Sequence, residues 1–423
     1  MAPSTTVVVV SHRPGSWLAP CLASARAQAT EVVVVDNGSP DSVASALAHE
    51  AGAEVVRAPR NLGFAGGVNL GIRRAKGELV ALLNDDAVAG PGWLTTAADV
   101  LADETVAAVT PKVVLDGLFA EIVLDDEPWS APGDHRRLGR LLWSVTAGGD
   151  EVLEGVVGAG IHDTESAEIE GRRRRWRWTS GEAPFYVPLA GGRGDEAVCV
   201  NGESVPVRSR CTLLNHAGNY LEPHGIAGDY GFGAPDDGRF DAPAERFGFS
   251  GTAPVMRAET LARLGAMAAP FFAYNEDTDW CLRARLAGLR VLYDPRATVR
   301  HRLSATSGGT ADPTVRFLAQ RNALLALLRN APAEVAARHL WRRVRQGPGG
   351  GVRRAVLVKT PWALATRRRA ARWWVLDPHD VWERWAGADA TWDTRPAAGS
   401  SSAGSSVADD PGDQVDEPGA RAR

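Results

Sequence analysis

Two clusters of carboxylates stand out in this 423-residue sequence. Asn84-Asp85-Asp86 ends the apolar run Leu79–Leu83 in "GELVALLNDDAVAGPGWL", and Glu276-Asp277 with Asp279 opens "YNEDTDWCLRARLAG". Adjacent carboxylates repel, and burying one unpaired is costly. Each cluster therefore calls for an arginine, a metal ion or a helix terminus beside it. The residue types permit two chemistries. Carboxylate oxygens suit Mg2+ or Mn2+, and an ordinary carboxylate, with a pKa of about 3.9, is ionised at neutral pH and ready to accept a proton.

The elements that must position these clusters are legible around them. "TTVVVVSHRPG" and "EVVVVDNGSPD" are β-branched runs ending in turn residues, as buried parallel strands do. Leu18, Leu22 and Ala25 fall at helical spacing between them. "SVASALAHEAG" predicts a second helix ending on Gly52, "AEVVRAP" a third strand, and "NLGFAGGVNLGIRRAKG" a glycine-rich loop opening a helix that stops at Gly77. A helix from about Pro91 to Ala102 and the strand "VAAVTPKVV" follow Asp86. This alternation predicts a doubly wound parallel sheet with right-handed crossovers, whose ligands sit beyond the strands' carboxyl ends. His12–Arg13, Asp36–Asn37 and Asn84–Asp86 all fall there. A dinucleotide fold is disfavoured: "GFAGG" follows the third strand, and no G-x-G-x-x-G follows the first. In the second cluster, Leu282 and Leu286 share one face of a helix begun near Asp277, with Arg283 and Arg285 turned elsewhere. Its acids lie at the helix N-terminus, where the dipole favours negative charge.

Seven pieces occur in a telling order: "VVVVSHRP", "VVVVDNGSPD", "RNLGFAGGVNLGI", "LLNDDAVAGPGWL", "FSGTAPVMRAETLARLG", "FFAYNEDTDWCLRARLAGLRVLYDPRATVRHRLSATSG" and "QRNALLALLRN". Together they resemble the inverting glycosyltransferases of family 2, above all the branch with rhamnosyl- and galactofuranosyltransferases. They cover residues 5–115 and about 213–330. The resemblance implies an α/β GT-A fold, Rossmann-like with a mostly parallel sheet. Its nucleotide-sugar-binding half would be residues 1–118 and its acceptor and catalytic half residues 213–330.

The resemblance also implies roles. A divalent cation, Mg2+ or Mn2+, bridges the donor's diphosphate, with Asp86 the foremost ligand, Asn84 standing where the family usually has Asp, and His301 joining them. Asp85 is left to touch the donor's ribose or sugar. Asp277 is the implied general base, taking the proton from an acceptor hydroxyl as it attacks the anomeric carbon; Glu276 is the alternative. Asp279 either orients the helix or, with Trp280, binds the acceptor. Ser11, His12 and Arg13 line the base, Asp36 accepts hydrogen bonds from base or ribose, and Asn61, Gly63, Phe64 and Asn69 close over both. Ser304, Thr306, Ser307 and Arg321 are candidate diphosphate contacts, with surface solvation the other reading for Arg321. Likeness alone favours UDP or dTDP over GDP, and a hydroxyl of a glycan or glycolipid as acceptor.

Residues 119–212 fall outside the resemblance. "GRRRRWRWTSG", "FYVPLAGG" and "EAVCVNGESVPVRSRC" predict strands and hairpins, an inserted β-rich subdomain with Trp rings available to stack on an acceptor's sugars. Arg173, Arg175 and Arg177 read as one face of an exposed strand rather than a nucleic-acid surface. Lysine occurs only at positions 76, 112 and 359, so arginine clusters here carry little specificity. A basic extension over 331–395 includes the stretch 338–372, which has no acidic residue; Trp341 and Trp362 are interleaved in it, and Trp373 and Trp374 follow directly. It suits either an anionic membrane surface, where each charge is worth about 1 kcal/mol, or packing on the catalytic domain. The tail 396–423 is expected to be disordered.

Composition bounds the rest. Hydrophobic content of 44% and charged content of 23% are those of a soluble globular chain. Cys21, Cys199, Cys211 and Cys281 lack metal-ligand spacing, which points to a reducing cytoplasm. No basic-then-apolar leader and no run of ~18 apolar residues is present, so at most peripheral membrane contact is expected. Two other classes fit less well. A nucleotidyltransferase making sugar nucleotides needs a basic, glycine-rich triphosphate loop where "SHRPGSW" stands. A degenerate transferase serving as a carbohydrate-binding scaffold does not require both acidic motifs intact.

Overall fold

Strand β1 (Thr5–Ser11) sends Val7 and Val9 into one apolar layer and Val8 into another, the alternation that a strand buried on both faces requires. The computed structural model describes residues 2–132, 134, 136–169, 172–181, 183–189, 196–223, 225–302, 312–345 and 350–386. The tail 396–423 and the Ser304, Thr306 and Ser307 contacts lie outside the described residues. β1 pairs in parallel with β2 (Glu31–Asp36) and with β4 (Leu79–Asn84), and β2 with β3 (Glu54–Arg57). Helices α1 (Leu18–Arg26), α2 (Val43–Glu50) and α4 (Trp93–Val100) cover the Val7 face; α3 (Gly63–Ile72) lies on the Val8 face. The predicted helices and strands of this region all form. A short strand, β5 (Ala87–Ala89), adds to them.

Beyond β4 the sheet is mixed. The strand Val255–Arg257 lies antiparallel between β4 and β6 (Val106–Leu115), and the strand Arg290–His301 runs parallel to β6. The sheet is thus mostly parallel, as expected, with an antiparallel strand inserted at Val255–Arg257. The chain comes straight into Val255 from residues 250–254 without a crossover helix, which an antiparallel pairing permits. Residues 118–211 form small antiparallel sheets around their own apolar cluster, including Phe185, Val187 and Val198. Arg177 is not on an exposed face there: its guanidinium is buried and donates to the carbonyls of Val156 and His162.

Helices α5 (Ala258–Leu264) and α6 (Glu276–Leu286) pack with α3 on the Val8 face. The extension folds as α7 (Pro313–Asn330), α8 (Ala333–Arg345), α9 (Gly350–Ala370) and α10 (Pro378–Ala386), with α7 against α6, α8 and α9. No helix among the described residues is long and apolar enough to cross a membrane.

The close approach of α3 to β1 depends on glycine. A Cβ at Gly71 would run into Val8, and one at Gly67 would meet Val10 at 2.5 Å. Overpacking of this kind typically costs about 1–3 kcal/mol. Gly71→Val is expected to lower the unfolding free energy by that amount, read as a lower urea midpoint with an unchanged slope by circular dichroism.

Candidate active site

Parallel register brings the polar ends of three strands level. Val10 lies opposite Asn84 and Ser11 opposite Asp36, so the chain leaves β1, β2 and β4 at one edge. There the Ser11 hydroxyl donates to Asp85 at 2.7 Å. Asp86 is held on the other side. β5 pairs antiparallel with Arg290–His301 so that His301 lies opposite Ala87, and its Nε2 sits 3.0 Å from Asp86 Oδ1. The Nδ1 of His301 donates to Asn215 Oδ1 at 2.8 Å, and Asn84 Nδ2 lies 3.5 Å from Nε2. Burial pushes the Asp85 carboxyl up to about 6, with the Asp86 charge adding to the effect and the Ser11 hydrogen bond opposing it.

This arrangement fits a cation. With Nδ1–H committed to Asn215, a neutral His301 aims the Nε2 lone pair at a carboxylate oxygen. Two electron-rich atoms at that distance need a proton or a metal ion between them. Among the described residues no three His, Cys, Asp or Glu side chains converge. Two protein ligands leave most of an octahedral shell to water and other oxygens, as Mg2+ prefers.

The second cluster is delivered by a strained turn. Phe272, Tyr274 and Asn275 have φ of 71°, 71° and 63°, a region that costs non-glycine residues free energy and persists only where neighbours enforce it. Asn322 on α7 supplies the enforcement: its amide nitrogen faces the carbonyls of Phe271, Ala273 and Tyr274 at 3.0, 2.8 and 2.7 Å. Arg321 beside it donates to the Phe271 carbonyl at 2.6 Å and is buried. It is therefore neither a diphosphate contact nor a solvated surface residue, because the carbonyls of a tight turn claim it.

Asp277 emerges at the start of α6, partly exposed, with Gly251 N–H donating to Oδ2 at 3.1 Å and Thr278 N–H to Oδ1 at 2.7 Å. Burial raises its pKa, and these two N–H groups oppose the rise. Glu276 is only 5% exposed, and its Oε2 has no hydrogen-bond partner among the described residues. Burial and then the Asp277 charge hold the Glu276 carboxyl well above the usual carboxylate range, whereas Asp277 keeps part of its surface exposed. Asp229 is pushed up to about 7 by burial and then by the Asp277 charge, with Asn219 donating to it at 2.8 Å.

Residues 250–252 connect the two clusters. Gly251 holds Asp277, and the next carbonyl, Thr252 O, accepts the N–H of Asn84 at 2.9 Å. Phe64 packs beside Gly251, where a Cβ would meet its ring at 2.9 Å.

Several expected contacts fall elsewhere. Asp279 has no exposed surface; it pairs with Arg283 at 3.1 Å and Arg329 at 2.6 Å and accepts from Asn330 at 2.8 Å. Trp280 is likewise buried, donating to Gly265 O and packing on Phe249. Both are core residues of α6 rather than acceptor contacts. Arg283 and Arg285 are buried too, collecting backbone carbonyls, so α6 is enclosed all round instead of amphipathic. Asp36 is fully buried, its oxygens taken by Ser39 N–H and the Ser45 hydroxyl at 3.0 and 2.7 Å. It shapes the turn after β2 and offers nothing to a base or ribose. Ser11 is buried and serves Asp85.

Asn69 spends its amide on both backbone groups of Met267, and Gly63 lies buried against Phe272 with its carbonyl taken by Asn37. Asn61 borders a cavity of about 590 Å3 on the outer side of α3 with Arg60, Arg73 and Phe272. His12 Nδ1 lies 3.1 Å from Asn37 O, and Arg13 is exposed with φ of 59°. Asn215, Asp229, Gly251 and Asn322 were not foreseen. The only available signal was Asn322 in "QRN", next to the residue that drew attention.

Residues 6–144 match the family described as Glycosyl transferase family 2. The family match takes in Asn84-Asp85-Asp86 and stops inside the β-rich insertion, short of Asp277 and His301. No curated protein sequence matches the chain. Among solved structures, the chain is similar to GalNAc-T7 with UDP, GalNAc and Mn2+ at 13% identity and a TM-score of 0.48, covering 91% of this chain and 58% of that one. Mannosyltransferase PcManGT from Pyrobaculum calidifontis with GDP-Man and Mn2+ gives 15% identity, a TM-score of 0.38, and coverage of 88% and 74%. S. aureus TarS gives 15%, 0.38, and coverage of 87% and 49%. The chain thus spans little more than half of the first of these and about half of the third.

Breaking a buried ion pair by removing one partner costs about 3–5 kcal/mol. Asp279→Ala, which strands Arg283 and Arg329, is expected to lose that much stability in denaturant unfolding. A variant that keeps its stability but loses acceptor affinity would restore the binding role.

Proposed function

We propose that the chain is a metal-dependent inverting glycosyltransferase of family 2, moving a sugar from a nucleoside diphosphate donor to a hydroxyl of a glycan or lipid-linked glycan. The observation that supports this best is the 250–252 bridge, which hydrogen-bonds the strand end bearing Asp85-Asp86 and the Asp277 carboxylate from adjacent residues. In this reading a leaving-group site and a base site are held from adjacent residues of one segment. UDP or dTDP remains the favoured nucleotide, from sequence likeness.

In this reading Asp86 and His301, with Asn84 at their edge, hold Mg2+ or Mn2+. When bound, such an ion offsets the negative charge that grows on a departing diphosphate. Asn215 fixes the His301 ring so that Nε2 faces Asp86. Asp85, with Ser11 on one oxygen, presents the other toward the donor's ribose or sugar. Asp277 accepts the proton of the acceptor hydroxyl as that oxygen attacks the anomeric carbon, and a single displacement inverts the centre. The Gly251 N–H keeps Asp277 aimed, and burial raises its affinity for the proton, which strengthens it as a base. The β-rich insertion borders the acceptor side in this proposal, with the exposed Trp129 and Trp143 available to stack on sugars.

The two roles separate in a mutant pair. Asp86→Ala is expected to weaken Mn2+-dependent binding of UDP or dTDP at least tenfold by calorimetry. Asp277→Asn is expected to leave that binding intact and to lower transfer about 10²–10⁴-fold. Equal loss of nucleotide affinity in both variants would contradict the division.

The pH profile is a separate check. A carboxyl whose pKa is raised is protonated over a wider acid range, so kcat/KM should fall as pH drops through a value above ~3.9. An acid limb at or below that value would remove Asp277 from the role.

A further inference from the structure

A second cavity, of about 310 Å3, opens between α5, α6, α7 and α9. Arg263, Arg283, Arg329, Arg369 and Arg372 contribute to its wall together with Trp373, and no Asp or Glu does. Asp279 lies behind the wall and is shared by Arg283 and Arg329, so it offsets one of the five positive charges. Arg263, Arg369 and Arg372 have no ion pair among the described residues. Arg263 and Arg372 flank the Trp373 ring, at 5.9 and 5.3 Å from its centroid. The Nε of Arg263 is buried and lacks a hydrogen-bond partner among the described residues. A buried guanidinium N–H without an acceptor is costly, and gathered guanidinium groups repel. An oxyanion placed among them relieves both, and the planar fork of arginine matches phosphate oxygens.

Trp373, part of the cavity wall, is 37% exposed, and Val375 and Leu376, which follow it in the chain, are 75% and 43% exposed. Phosphate-seeking groups beside exposed aliphatic side chains match an amphiphile rather than a free ion.

We infer that this cavity binds the headgroup phosphate of an anionic phospholipid, with Trp373, Val375 and Leu376 resting in the headgroup–acyl boundary. Interfacial helices bind in this way, by apolar contact added to attraction for anionic lipid. The site shares no residue with the proposed transfer chemistry and stands or falls independently of it.

Flotation of the full chain with vesicles tests the site. Phosphatidylglycerol–phosphatidylcholine vesicles should carry the wild-type protein at low salt, and phosphatidylcholine alone should not. Arg263→Gln/Arg372→Gln should bind at least tenfold more weakly with an unchanged melting temperature, and Trp373→Ala should also bind more weakly. Arg210→Gln, a single charge removed from an exposed strand of the insertion, should bind as the wild type does. Equal binding by the double variant, or an equal loss in Arg210→Gln, would overturn the site in favour of diffuse attraction. Thermal stabilisation by inorganic phosphate, absent in the double variant and unaccompanied by vesicle binding, would overturn the lipid assignment in favour of a soluble phosphate.

Discussion

Two neighbouring carboxylates at the end of a buried strand repel each other wherever the chain places them, and the architecture around β4 resolves that repulsion by separating their partners. Asp85 is held by Ser11 from β1, and Asp86 by His301 from the far strand Arg290–His301. Both partners are set by sheet register: the parallel pairing of β1 with β4, and the antiparallel pairing of β5 with the last strand. A one-residue slip in either pairing would turn the partner's side chain to the opposite face. The electrostatic requirement at the strand end is thereby transmitted to strands distant in sequence, and it leaves His301 Nε2 3.0 Å from Asp86 Oδ1, where a proton or a metal ion must lie between them.

The opposite wall follows another logic. Asp277 follows a turn in which Phe272, Tyr274 and Asn275 have positive φ, and α7 holds that backbone through Asn322 and Arg321. α7 is itself fixed to α6 by Arg329 and Asn330 on Asp279. A buried charge cluster in the core thus fixes the helix on which Asp277 stands. Residues 250–252 then join this wall to the strand ends, so the two clusters are spaced by two short hydrogen bonds rather than by a flexible loop.

The sequence made the helices and strands of the first hundred residues legible because their apolar periods are clean and turn residues bound most of them. The positions of Asn84–Asp86 and of Glu276–Asp277 at element termini were legible for the same reason. Periodicity could not show the antiparallel Val255–Arg257, a three-residue strand placed by tertiary pairing alone. Nor could it distinguish a polar residue facing a ligand from one spent on the backbone. Asp36, Asn69 and Arg321 have the right types near the right motifs, yet their hydrogen bonds go to turns. A buried arginine misled in the same way: Arg177 read as part of an exposed strand face, yet it gathers carbonyls, as Arg283 and Arg285 do on α6. Asn215 escaped notice because an asparagine that orients a histidine leaves no spacing signature.

Pulsed electron paramagnetic resonance of the full chain with Mn2+ tests the account most directly. It predicts a nitrogen coupling from one imidazole, present in the wild type and lost in His301→Gln. Bound manganese without that coupling in the wild type, or with the coupling unchanged in His301→Gln, would contradict it.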